Sequence, residues 1–128
     1  PGLSFAPIDT RLGGLRGAAY EGTVSRSEHV DGSGNCRGAE AARVQLDDEH
    51  FLGLFVTTDQ KSPQSAALAI FDHERKKEGS DELAGAVVNL PFVGTRKEAA
   101  REFIINNRSY KIYAKEVGDC SVEYKIYL

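Results

Sequence analysis

The run SPQSAALAIFDHERKKEG, residues 62–79, decides the fold class. Two readings compete for it. Ser62 followed by Pro63 has the form of an N-cap with proline at the first helical position, and Lys76, Lys77 and Gly79 suit a helix end. The periodicity disagrees. Positions 66–71 are all apolar and positions 72–80 all polar, whereas a surface helix interleaves the two kinds. This block pattern predicts a buried strand over 66–71, a charged loop, and a further strand over 83–93 with Pro91 at its end or on an edge. A helix over 63–78 would make the domain α+β instead.

Working outward from that run, strand signals dominate. Residues 18–24 and 42–46 alternate apolar with polar, and 51–56 is a short apolar run. The polar turn Asp47-Asp48-Glu49-His50 joins the last two into a hairpin. Farther on, Thr95-Arg96-Lys97-Glu98 has the form of a capping box, so a short helix is expected near 95–101. Residues 103–105 and 110–114 flank an Asn106-Asn107 turn, Gly118-Asp119 makes another, and 120–128 alternates most clearly of all. The expectation is a mainly β fold. It is a single antiparallel β-sandwich or small barrel of roughly seven or eight short strands, with the last strand paired to 109–117. The expected core is Tyr20, Val44, Leu46, Leu54, Val56, Leu68, Ile70, Val87, Ile112, Val122, Tyr124 and Ile126. Residues 1–17 carry no period and read as an extended N-terminal arm, laid on the domain or left loose, ahead of a single β-domain over 18–128.

Composition narrows the class. The chain has 128 residues, 41% hydrophobic and 27% charged, with a net charge of −3, which suits one globular domain. The acidic balance argues against a domain built to hold nucleic acid. No apolar run is long enough for a helix to span a bilayer. There is no methionine, position 1 included, which reads as a processed or trimmed chain, as after removal of a signal peptide.

Cys36 and Cys120 are the only cysteines, and neither has the spacing of a zinc or thioredoxin motif. Both lie in polar, turn-rich stretches. They are expected to form one long-range disulfide, worth about 4 kcal/mol in the chain-entropy view, in a secreted, periplasmic or other oxidising compartment.

Chemistry-bearing motifs are sparse. The cluster at residues 47–50 could offer oxygens to a hard cation, but consecutive residues of a strand turn do not converge, and it reads as a solvated turn. Asp31-Gly32-Ser33-Gly34-Asn35 departs from calcium-loop spacing. His29, His50 and His73 each have an acid next in sequence, yet no nucleophile motif accompanies them. The glycines at 13–14 and 32–34 lack a phosphate-cradling context. Asn107-Arg108-Ser109 matches the N-glycosylation pattern, which is short enough to occur by chance. No metal or cofactor is expected.

What remains is a surface. Lys111, Tyr113 and Lys115 share one face of their strand, and Lys125 and Tyr127 one face of the next. Together they predict an exposed Tyr–Lys face for a protein or glycan partner. The leading functional expectation is therefore a non-enzymatic binding or inhibitory module. The alternative is a structural subunit of an extracellular or viral assembly, self-associating through residues 1–17. An enzyme ranks third, because β-domains can host sites that no motif reveals.

Overall fold

The computed structural model describes residues 3–25, 29–30, 35–36, 39–57, 65–77, 80–83, 88–118 and 121–128. In chain order these form β1 (Leu3–Pro7), a 3-10 turn (Thr10–Gly14), β2 (Tyr20–Ser25), β3 (His29–Val30), β4 (Asn35–Cys36), β5 (Ala39–Gln45), β6 (His50–Thr57), β7 (Ser65–Lys77), β8 (Ser80–Leu83), β9 (Val88–Pro91), β10 (Glu98–Ile105), β11 (Arg108–Glu116) and β12 (Ser121–Tyr127). The first sheet has the order β1-β10-β11-β12-β2. The second runs β5-β6-β7, with β8 and β9 both pairing to β7, and β3 and β4 form a separate ribbon. Among the described residues, every strand pairing in the two sheets is antiparallel. The molecule is mainly β and sandwich-like, as the block pattern at 62–79 predicts.

Alternation explains the core. From the first sheet Phe103, Tyr110, Ile112, Val122 and Ile126 point inward, and from the second Leu52, Leu54, Val56, Leu68, Ile70 and Leu90. All eleven are fully buried, each such side chain contributing roughly 1.5–3 kcal/mol of transfer free energy. Phe103 and Tyr110 are opposite each other in register and their rings stack at 5.2 Å. Of the expected core, Tyr20 and Tyr124 pack against it only partly buried, and Val87 lies outside the described residues.

The turns follow backbone chemistry. Asn106 (φ 50) and Asn107 (φ 67) both sit in the left-handed region. A two-residue hairpin loop of the favoured twist needs two such residues, and asparagine tolerates them best after glycine. β11 and β12 then pair in the expected register, Ile112 opposite Ile126.

Two sequence expectations need correction. No helix forms at 95–101. Residues 94–97 make a tight turn closed by the Val93–Glu98 bridge, and β10 starts at Glu98. The glutamate of the supposed capping box does not serve an N-terminal amide, because its carboxylate accepts a hydrogen bond from the Tyr113 hydroxyl at 2.5 Å. The charged stretch 72–77 is also no loop. It continues β7 and pairs with β8, Asp72 opposite Glu82 and Lys77 opposite Ser80. A hydrogen-bonded backbone ladder asks nothing of side-chain polarity, so a hairpin can outrun the apolar core.

The N-terminal segment is part of the sheet. β1 pairs with β10 from Leu3–Ile105 to Pro7–Arg101. Residues 8–19 then cross the outer face of β10, β11 and β12 to reach β2 at the opposite edge. Hydrogen bonds at both ends fix the crossing, from the Ile8 amide to Ala100 O and from the Ala19 amide to Ile126 O. Among the described residues, no helix is long and apolar enough to cross a membrane.

Candidate functional site

The Tyr–Lys residues do share one face. Lys111 is opposite Tyr127 and Tyr113 is opposite Lys125, all on the outer side of the first sheet. The crossing segment covers the middle of that face. Tyr113 is 3% exposed and Tyr127 7%, so the outward display expected of the two tyrosines is not what the fold provides. Gly13 lies on the Tyr113 ring so closely that a Cβ there would collide with it. The Tyr127 hydroxyl donates to Leu15 O at 2.7 Å, and Lys125 Nζ donates to Gly13 O at 3.0 Å. Burial, and after it the hydrogen bond and negative charge of Glu98, raise the Tyr113 pKa well above the ordinary tyrosine value. Lys111 approaches Glu102 at 4.0 Å, and Lys115 sits between Glu98 and Glu123 in register. These lysines belong to a mixed-charge surface around the covered centre. Cys36 lies in β4, but Cys120 is outside the described residues and the Cys36–Cys120 pairing with it, as are Asp31, Gly32, Ser33 and Gly34.

A second region comes into view only in three dimensions. The β5–β6 turn, from the second sheet, meets the β10–β11 turn, from the first, at one end of the sandwich. Between them Asp47, Asp48, Glu49, Ile105, Asn106 and Arg108 line an open cleft of about 310 Å³. Asp47 organises its own turn. Its Oδ1 accepts from the amides of Glu49 (2.7 Å) and His50 (2.8 Å), and the buried His50 ring lies 3.1 Å from it. Partial burial alone would raise the Asp47 pKa, but these hydrogen bonds outweigh it and hold the carboxyl below its ordinary value. The Gln45 amide nitrogen donates to His50 O at 3.2 Å and to Asp47 O, so the acidic turn is rigidly braced.

On the opposite wall, the Tyr110 hydroxyl and then the charge of Asp47 raise the pKa of Arg108. That hydroxyl is buried and makes no well-formed hydrogen bond among the described residues. Asp48, Glu49 and Asn106 are exposed. The acidic turn could be singled out from sequence as a cluster, but nothing local to it announces the asparagine hairpin as its neighbour. Among the described residues, no group of three His, Cys, Asp or Glu side chains could hold a metal ion.

The fold and this geometry define a small antiparallel β-domain with a polar cleft at one end. No protein-family model matches the chain, and no curated protein or solved structure matches it either.

Proposed function

We propose that the domain is a non-enzymatic binding module whose end cleft receives a basic segment of a protein partner. The observation behind this is the convergence of two turns from different sheets, with Asp48 and Glu49 exposed at the mouth and Ile105 and Arg108 on the far wall. A protein fits this chemistry better than a glycan, since among the described residues no aromatic ring lines the cleft for a sugar to stack on. Asp47 braces the turn, and Asp48, exposed at the mouth, is the group that steers and pairs with an incoming lysine or arginine.

Fluorescence anisotropy with a short Lys/Arg-rich peptide and an Asp/Glu-rich one tests the reading. The basic probe is expected to bind, and Asp48→Lys to weaken it about fivefold, the size of one partly exposed ion pair. Binding of the acidic probe alone, lost in Lys111→Glu, would overturn it. That outcome would return the working surface to Lys111, Tyr113, Lys115, Lys125 and Tyr127.

The assembly reading keeps one observation of its own: among the described residues, β1 is an edge strand paired only to β10. Large oligomers that vanish when residues 1–12 are deleted would support it. We place the chain in a secreted, periplasmic or other oxidising compartment with Cys36 bridged to Cys120, on the strength of the two cysteines alone. An intact mass that gains two hydrogens on reduction is the expected result.

A further inference from the structure

Residues 8–19 link β1 at one edge of the first sheet to β2 at the other, and none of them is buried. The segment carries two arginines in different surroundings. Arg11, though exposed, is locked into the 3-10 turn. Its amide donates to Asp9 Oδ1 at 2.9 Å, and its guanidinium donates twice to Asp9 Oδ2, at 3.0 and 2.8 Å. Arg16 is free. Among the described residues, Arg16, Gly17 and Ala18 take part in no hydrogen bond or ion pair. Gly14, Leu15, Arg16 and Gly17 are exposed in a row, and no other part of the fold lies within 4 Å of where a Gly17 Cβ would stand. Gly17 has φ 85, and a glycine leaves that conformation for an extended one without steric cost. Arg43, Arg101 and Arg108 sit instead in strands, whose ladders would have to open to release their backbone. Arg96 sits in the tight turn closed by the Val93–Glu98 bridge.

We infer that the Arg16–Gly17 bond is a site of limited proteolysis, cut by a protease that takes arginine, and that the cut unmasks the outer face of the first sheet. Such an enzyme binds several consecutive residues as an extended strand, so it needs exposed backbone whose hydrogen-bonding groups are not already engaged. Residues 16–18 meet that need and Arg11 does not. In the reaction water adds across the amide. The Arg16 carbonyl carbon takes the hydroxyl, the Gly17 nitrogen takes the proton, and the resulting acid ionises by passing its proton to the new amine. The segment ahead of Gly17 then keeps only the β1–β10 ladder, Phe5 against Phe103, and the bonds from Lys125 and Tyr127 to Gly13 O and Leu15 O. What it loses is the tether, which holds it at an effective concentration on the order of millimolar while intact. In dilute solution the cut segment leaves, and Tyr113, Tyr127 and Lys125 face solvent in place of chain. The inference stands apart from the end cleft, because it uses none of the cleft residues.

Brief digestion of the native full chain with trypsin, followed by mass spectrometry, tests this. A species beginning at Gly17 is expected among the earliest products. Arg16→Gln should abolish that species, and Arg11→Gln should leave it. Gel filtration of the digest should separate the N-terminal fragment from a domain that keeps the far-ultraviolet circular dichroism of a β protein. Tetranitromethane, which nitrates exposed tyrosines, should then modify Tyr113 and Tyr127 and should spare both in the intact chain. An Arg16–Gly17 bond that stays whole for as long as the chain is folded overturns the inference. So does a cut chain that keeps its fragment on dilution, with the two tyrosines still spared. Loss of the β signal on cutting overturns it as well, because a removable cover must leave its domain standing.

Discussion

On the outer face of the first sheet Tyr113 and Tyr127 are buried by a crossing segment of the chain, whereas on the outer face of the second sheet Phe51, Phe55 and Phe71 bury one another. Phe51 and Phe71 are opposite in register and stack at 4.8 Å, with Phe55 edge-on to Phe71 at 6.4 Å. Arg43 lies 3.7 Å above the Phe51 ring. Gly53 leaves room beneath, for a Cβ there would come within 2.8 Å of Phe55 and 3.1 Å of Phe71. One face is closed by dispersion and stacking between side chains of adjacent strands. The other is closed by a separate stretch of backbone, held through a few polar contacts and one close glycine. The lesson is that aromatic residues on an outward strand position mark surface only when neither device is available.

The difference should appear in which variants break which face. Phe51→Ala has the largest expected effect. It removes a ring only 5% exposed from between Arg43 and Phe71, and should lower stability by about 3 kcal/mol in urea denaturation. A loss below about 1 kcal/mol would mean the phenylalanines do not close that face.

Gly13→Val is next. The new side chain collides with Tyr113, and relief by lifting residues 8–17 should cost about 1–3 kcal/mol. Amide exchange should quicken in that segment and around Tyr113 while β6 and β7 keep their protection. Uniform quickening through both sheets would show that the covering segment is not a separable unit.

The smallest effect is a pH slope. The Tyr113 pKa is raised in the folded state above its ordinary value of 10.0. Its contribution is then complete below about pH 10 and is lost as pH rises from there toward the folded value. Wild-type stability should fall above pH 10 more steeply than that of Tyr113→Phe, whereas Phe51→Ala should keep the wild-type slope. Equal slopes in wild type and Tyr113→Phe would remove the tyrosine from the account.

Much of the architecture is legible in the chain because period-two alternation survives wherever one face of a strand is wet. β5 is such a strand, β12 keeps the alternation because its covered outer face still carries Glu123 and Lys125, and the run at 66–71 is read correctly because a strand covered on both faces looks continuously apolar. The signal fails at Glu98–Ala100. There Ala99 faces the core and Ala100 faces the crossing segment, so both are buried and the stretch reads as helix-forming alanine. It fails again at 72–77, where β7 continues without apolar side chains. The acidic turn of the cleft is visible as four polar residues, but its partner hairpin is some sixty positions away (roughly, counting from Asp47 to Asn107) and pairs within a different sheet.

By itself, then, the sequence determined the mainly β class, the asparagine hairpin, the pairing of the last two strands and most of the core. Each rests on a local rule: side-chain period, left-handed turn residues, apolar inward positions. Only the tertiary structure decided that Tyr113 and Tyr127 face chain rather than solvent, that Glu98 serves a tyrosine rather than a helix, and that two turns from different sheets share a cleft. Those outcomes depend on which distant segment packs over a face, and a side chain's burial is a property of its neighbours in space, which residue spacing along one strand does not encode.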